Sequence, residues 1–222
     1  MLSDHFPVLG LRLRTPALEL RLPDEDELAE LTALALDGIH PPETMPFRIP
    51  WTERPRAELA RGVAQHHWRL LGDWTPREWT LPLCVFHDGA VAGMQALAGR
   101  DFAILGEVRT GSWLGSRYQG RGLGTEMRAA VLHLAFDGLG AVQATSGAFE
   151  DNAASLAVSR KLGYRPDGIA RHVVRGAPAV ERRMRLTRED WRRHRAIAVE
   201  THGVAACLAL FGADGEPPEA DA

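Results

Sequence analysis

Cysteine is scarce in this chain of 222 residues: Cys84 and Cys207 are the only two. They supply neither a metal-ligand nor a redox spacing, and no disulfide framework follows from a pair so far apart. Cys84 lies in an apolar strand pattern and reads as a core thiol. Among the nine histidines, His66 and His67 are adjacent and lack a matching ligand pair nearby, so no metal site is expected. No run of about eighteen apolar residues is present, and Met1 to Arg14 lacks the apolar stretch and cleavage site of a signal peptide. A cytoplasmic chain with no membrane partner is therefore expected. Lysine is almost missing too, Lys161 being the single one among 26 basic residues. The arginines are interleaved with Asp and Glu at a net charge of -3, which leaves no basic stripe for a nucleic-acid partner. The runs Glu181-Arg182-Arg183-Met184-Arg185 and Arg192, Arg193, Arg195 read as solvated faces.

What is present organises as one domain, the usual outcome at this length. Leu alternates with Glu and Arg over Ala17 to Leu22, predicting a strand, and an amphipathic helix follows from Pro23 to about Leu36. Prolines prevent regular structure between Gly38 and Pro55, so Met45, Phe47, Ile49 and Trp51 belong to an ordered, partly apolar loop. A helix over Arg56 to Leu71 precedes a hairpin, Leu81 to Phe86 and Val91 to Leu97, turning at Asp88-Gly89. Then come a strand at Val108 to Leu114, a glycine-rich loop, a helix from Thr125 to Phe136, a strand from Val142 to Ser146, and a helix from Ala153 to Leu162 stopped by Gly163. A last hairpin pairs Ile169 to Val174 with Val180 to Leu186. The end, Gly212 to Ala222, is rich in Gly, Pro and acids and is expected to be disordered.

The loop Gln119-Gly120-Arg121-Gly122-Leu123-Gly124 between a strand and a helix is a recipe for holding phosphate. Glycines let successive N–H groups turn toward one concavity, and the helix N-terminus adds free donors and partial positive charge. A P-loop would need Gly-Lys-Ser/Thr, which is absent. A Rossmann turn would want an acidic residue about twenty positions later, where the chain has Val142-Gln143-Ala144-Thr145. The loop alone leaves open a turn required only for close helix packing. A second segment narrows the choice: Asn152 stands at a helix start, and Ser155 and Ser159 lie one turn apart on one face.

Taken together, Gly111-Ser112-Trp113-Leu114, Tyr118-Gln119-Gly120-Arg121-Gly122-Leu123-Gly124-Thr125-Glu126, Asn152-x-x-Ser155 and Leu162-Gly163-Tyr164 resemble the GNAT N-acyltransferases, in the RimJ/RimL-like branch that modifies N-terminal amines of ribosomal proteins. The resemblance runs from Ala17 to Asp190. It implies an α/β (α+β) fold with a mixed sheet of about seven strands splayed in the middle and about four flanking helices. Residues 1–190 would be the acyltransferase domain and 191–222 a C-terminal extension. More narrowly, Met45-Pro46-Phe47, Pro50-Trp51-Thr52 and Asp190 to Arg195 resemble an actinobacterial GNAT succinyltransferase.

The resemblance implies an acyl-CoA co-substrate, acetyl-CoA or succinyl-CoA, and an unidentified amine acceptor; homo-oligomers also occur in the family. Trp113 and Leu114 would line the pantetheine arm, and the backbone of Gln119, Gly120, Arg121, Gly122, Leu123 and Gly124 would hold the diphosphate with Thr125 beside it. Asn152 would meet the pantetheine amide. Arg117, Arg121, Arg160 and Lys161 are candidates for the 3′-phosphate. The Leu114 N–H would support the oxyanion. Many members place a tyrosine seven residues after the asparagine; this chain has Ser159 there, and Ser155 would instead donate a hydrogen bond to the departing thiolate. Glu107 is the first candidate base, with Glu150 and Asp151 next, and His40 is a candidate contact. For a succinyl carboxylate the candidates are Arg48, Gln95 and Ser112. The alternative is a catalytically silent GNAT-like module that binds acyl-CoA as a sensor.

Overall fold

A computed structural model describes residues 1–215. Residues 216–222, most of the end expected to be disordered, lie outside the described residues. The strands are β1 (Arg12–Arg14), β2 (Leu18–Arg21), β3 (Glu78–His87), β4 (Ala90–Arg100), β5 (Glu107–Leu114), β6 (Gln143–Phe149), β7 (Arg165–Val174), β8 (Ala177–Thr187) and β9 (Glu200–His202). The helices are α1 (Glu25–Leu36), α2 (Arg56–Gly72), α3 (Phe102–Leu105), α4 (Leu123–His133), α5 (Ala153–Lys161), α6 (Arg188–His194) and α7 (Val204–Phe211). Among the described residues the sheet thus has nine strands rather than about seven, in the order β7-β8-β6-β5-β4-β3-β2-β1-β9.

Local chemistry explains where the elements begin and end. Asp24 accepts from the Glu27 N–H at 2.9 Å while the Glu27 carboxylate accepts from the Asp24 N–H, a capping box that starts α1. Leu28, Leu31 and Leu34 then fall on its buried face. Asp88 and Gly89 are both left-handed, at φ 52° and 78°, which closes the β3–β4 hairpin with the twist two-residue turns require. Arg175 and Gly176, at φ 51° and 75°, do the same between β7 and β8. The helix expected to reach Phe136 changes to a π turn over Leu134–Gly138.

The extension after residue 190 packs onto the same body. β9 pairs antiparallel with β1, Leu13 opposite Thr201. Phe211 of α7 sits with its ring edge against Trp79 at 4.7 Å between centroids, and the Trp79 and Trp74 indoles donate to the Phe211 and Leu210 carbonyls at 3.0 and 2.8 Å. Cys207 is buried in this layer, and burial pushes its thiol up to about 11. Cys84 is a core thiol as expected, fully buried and shifted upward by burial.

For the site, what matters is the middle of the sheet. β4 and β5 pair continuously from Gly93–Leu114 to Gly99–Val108. β5 and β6 run parallel and pair only over Glu107–Arg109 and Gln143–Thr145. Beyond that they part, leaving a wedge whose wide end is at Leu114. Helix α4 packs on the Leu114 face, where Gly124 approaches it; α1 packs on the opposite face, where Leu34 meets Gly115.

Candidate functional site

Antiparallel pairing determines which way each backbone group of β5 points. The Gly115 N–H donates to the Ala92 carbonyl at 3.0 Å, toward β4. Alternate residues share a direction, so Gly111 and Trp113 also face β4, while Thr110, Ser112 and Leu114 aim their N–H and C=O groups toward β6. The Val108 carbonyl, in the same phase, accepts from the Thr145 hydroxyl at 3.3 Å. Past Arg109 no strand among the described residues meets that side, so the Ser112 and Leu114 N–H groups open into the wedge.

At the wide end lies the glycine loop. Gly120 and Gly122 adopt φ of 72° and 84°, which only glycine takes without strain. Among the described residues no backbone acceptor receives the N–H groups of Gly120 through Gly124. The result is a row of free donors at the start of α4, suited to a diphosphate. Side chains here are mostly committed. The Gln119 amide donates to Ile39 and Leu114 carbonyls, both at 2.8 Å, and Arg121 donates to His87 Nε2 at 3.2 Å. Arg117 faces Asp37 at 3.8 Å. Thr125 and Lys161 instead line a cleft walled by Trp191, His194 and Arg195. That wall comes from the extension and was not legible in the sequence.

Across the wedge, Asn152 caps α5: its Oδ1 accepts from the Ser155 N–H at 3.0 Å, leaving its amide NH2 group free of that bond. The Ser155 hydroxyl has no hydrogen-bond partner among the described residues. Ser159 is different. It is buried, accepts from Arg128 at 2.9 Å and donates to the Ser155 carbonyl at 3.2 Å, so it joins α4 to α5. Arg128 is itself fully buried, and burial lowers its pKa.

The family model for the acetyltransferase (GNAT) domain matches residues 17–165, more than half of the chain. The chain belongs to the GNAT acetyltransferases. GNAT enzymes use acyl-CoA, so this is an acyltransferase family with a CoA thioester as partner. Solved structures share the fold at low identity. RimJ of Mycobacterium smegmatis in complex with CoA-disulfide has a TM-score of 0.63 at 19% identity, over 89% of this chain and 92% of that one. RimL, a ribosomal L7/L12 alpha-N-protein acetyltransferase in complex with coenzyme A, gives 0.59 at 18%, over 78% and 95%. A GCN5-related N-acetyltransferase from Brucella melitensis gives 0.62 at 22%, over 82% and 80%. Among the described residues no helix is long and apolar enough to cross a membrane.

Against this GNAT frame several candidate roles change. Glu107 sits in the closed part of the sheet, where its carboxylate accepts from Gln143 at 2.6 Å. Five residues of strand, roughly 16 Å, separate it from Ser112, and Leu114 is farther still. Its carboxylate is thus engaged by Gln143 at the paired end of β5 and β6. His40 has both ring nitrogens engaged, Nδ1 with the Pro41 carbonyl at 2.9 Å and Nε2 with the Thr52 hydroxyl at 2.8 Å. It shapes the loop rather than facing a substrate. Gln95 is buried, its NH2 group donating to the Ala96 and Gly111 carbonyls at 3.0 and 3.1 Å. Glu150 pairs with Arg182 at 2.5 Å, and Asp151 is exposed at the turn before α5.

The Pro-rich loop walls the Trp113 face of the wedge. Trp51 lies 6.1 Å from Trp113 and 5.2 Å from Phe47 between ring centroids. Met45 packs with Phe149 and Val174 in a small second core, and Arg175 pins the loop by donating to the Pro42 carbonyl at 2.9 Å. From this loop Arg48 reaches the carboxylate of Glu181 on β8. Glu181, placed by sequence on a solvated face, is only 4% exposed. Its Oε2 also meets His172 Nε2 at 2.9 Å, and Arg109 Nη2 stands 3.9 Å from Oε1. Burial would raise the Glu181 pKa, but His172, Arg48 and Arg109 together outweigh it and hold the carboxyl below its usual range. The remaining arginines of that run are exposed, as the sequence implied.

Proposed function

We propose that the chain transfers an acyl group, acetyl or succinyl, from CoA to a primary amine by direct attack within a ternary complex. The observation carrying this reading is the wedge that opens at Arg109 with two unpaired N–H groups and ends at a loop of free donors. Pantetheine would lie along β5 as an extra strand beside Trp113 and Leu114, and the diphosphate would rest on the backbone of Gln119 to Gly124 beside Thr125. The free amide NH2 of Asn152 would meet the arm from the other side. Lys161 and Arg160 suit the 3′-phosphate better than Arg117 and Arg121, whose side chains are turned to Asp37 and His87.

The amine nitrogen attacks the thioester carbon, a C–N bond forms, and negative charge collects on the carbonyl oxygen. The Leu114 N–H would receive it, with Ser112 next along the strand; losing one such donor elsewhere costs about 3 to 4 kcal/mol. Collapse breaks the C–S bond, the nitrogen releases one proton to solvent water to give the neutral amide, and the thiolate takes a hydrogen bond from the unpartnered Ser155 hydroxyl. An α-amine acceptor fits a site without an obvious base. At pH 7.4 an α-amine costs under about 1 kcal/mol to neutralise, against roughly 4 for a lysine. RimL, which shares the fold, is an alpha-N-protein acetyltransferase.

Ser155→Ala tests the mechanism. Turnover should fall about tenfold to a hundredfold, the worth of a charge-assisted hydrogen bond, with acyl-CoA affinity nearly unchanged. Unchanged turnover would remove Ser155 from the chemistry. The committed Ser159 at the tyrosine position favours a second reading, a silent acyl-CoA-binding module. Tight CoA binding with no amine-dependent thiol release would select that one.

A further inference from the structure

Just past the point where β5 and β6 part, the Trp113 face of the sheet carries a charged cluster that the acyl-transfer steps above do not use. Glu181 lies at its centre, its side chain 6% exposed, while Arg48 and Arg109 are 43% and 54% exposed. The two arginines approach different oxygens, Arg48 at Oε2 and Arg109 at Oε1. At 3.9 Å the Arg109 contact is too long for a hydrogen bond, and among the described residues no acceptor takes any Arg109 side-chain N–H. Arg48 gives Glu181 one of its five donors. Gly147 makes room for this arrangement, since a side chain there would collide with the Glu181 carboxylate.

Charge decides what the cluster can hold. Glu181, Arg183 and Arg185 alternate onto one face of β8, beside Arg109 of β5, and Arg185 faces Asp167 at 3.4 Å. With Arg48 that makes four arginines against the carboxylates of Glu181, Glu107 and Asp167, a balance of one positive charge among these groups. Such a place repels an ammonium and attracts an anion. Position limits which anion. Arg109 is the last residue of β5 still paired with β6. An arm entering at the glycine loop and passing Leu114 and Ser112 points its acyl end toward this vertex. Three residues, roughly 10 Å, separate Ser112 from Arg109, a gap that an arginine side chain and a short acyl chain can span together.

We propose that Arg48 and Arg109, held in place by the buried Glu181, form a subsite that reads a carboxylate on one of the two substrates. This rests on the acyl-transfer reading of the wedge. The carboxylate belongs either to the acyl chain, as in a dicarboxylic acid joined to CoA through one end, or to the amine acceptor close to its nucleophilic nitrogen. Glu181 and His172 are positioning residues, since they aim the guanidiniums and need not touch the substrate.

The experiment uses the full chain, with Arg109→Gln as the main variant because that side chain is exposed and makes no hydrogen bond among the described residues. In the donor arm, calorimetry compares succinyl-CoA, acetyl-CoA and free CoA. In the acceptor arm, thiol release from acetyl-CoA compares Ala-Glu and Ala-Gln peptides as amines. A preference of about tenfold or more for succinyl-CoA, lost in Arg109→Gln and partly restored in Arg109→Lys, places the carboxylate on the donor. The same pattern for Ala-Glu in KM, with kcat little changed, places it on the acceptor. If CoA binds wild type and Arg109→Gln equally and neither carboxylate preference exists or depends on Arg109, the subsite is refuted while the acyl-transfer reading stands. Failure of CoA itself to bind overturns both.

Discussion

Gly122 and Gly124 stand two residues apart in the same loop, yet replacing each with alanine should have different consequences. At Gly122 the backbone is left-handed at φ 84°, and an added Cβ would find nothing within 4 Å. Space is therefore no obstacle, and the whole penalty is backbone strain, about 1–2 kcal/mol for an L-residue. Gly124 has ordinary backbone, its added Cβ meeting Val158 at 3.7 Å and Leu114 at 3.9 Å, normal contact distances. It lies in the first turn of α4, where alanine replaces glycine with neutral or slightly favourable effect. How the Gly122 strain divides depends on the free loop. If the loop keeps its shape without CoA, stability falls and affinity does not; if it relaxes, affinity falls instead, about 5- to 30-fold for 1–2 kcal/mol. The sum of the unfolding and CoA-binding free energies removes that ambiguity. Denaturant unfolding and calorimetry on both variants should show this sum lowered by about 1–2 kcal/mol for Gly122→Ala and essentially unchanged for Gly124→Ala. Equal sums for the two variants would refute the claim that the left-handed backbone shapes the donor row.

Glu107→Gln should leave turnover within about twofold of wild type, because its hydrogen bond to Gln143 is replaceable and it stands far from Ser112; a loss beyond tenfold would restore it as a base. His67 is buried on α2, and burial, with a smaller effect of His66, lowers its pKa to about 4. The native ring stays neutral while the unfolded one protonates below 6.5, so this contribution is full above 6.5 and lost as pH falls toward 4. The ceiling is about 3 kcal/mol, and residual solvent access brings the expectation to about 1–2. His67→Leu should flatten the pH dependence of unfolding in that window. Phe211→Ala should cost about 3–5 kcal/mol, removing a ring packed on Trp74 and Trp79; a melting temperature within about two degrees of wild type would show that α7 contributes little to the core.

Features with local causes were legible in the sequence. The α1 capping box, the Asp88-Gly89 turn, the glycine loop and the Asn152 cap each rest on residues within a few positions of one another. What was not legible involves partners distant in sequence. Glu107 leads into Trp113 along one strand, but its hydrogen bond from Gln143, 36 residues later, has no local signal. Glu181 lay in a run of arginines and read as solvated, because nothing local shows that Arg48, 133 residues earlier, and His172 close over it. β1 and β9 are three residues each, too short to display an alternation. β1 pairs with β2 on one side and needs β9 to complete the other, and β9 is a strand only through its pairing with β1.

That mutual completion orders events in time. Synthesis makes β1 well before β9, with almost the whole domain made in between. Until residues 200–202 emerge, the outer edge of β1 offers bare N–H and C=O groups that another strand could take. The same delay holds back the wall of Trp191, His194 and Arg195 beside Thr125, so a nascent chain has its glycine loop long before the neighbouring cleft is closed. A chain stopped before residue 200 should therefore self-associate through its β1 edge, and the full chain should not.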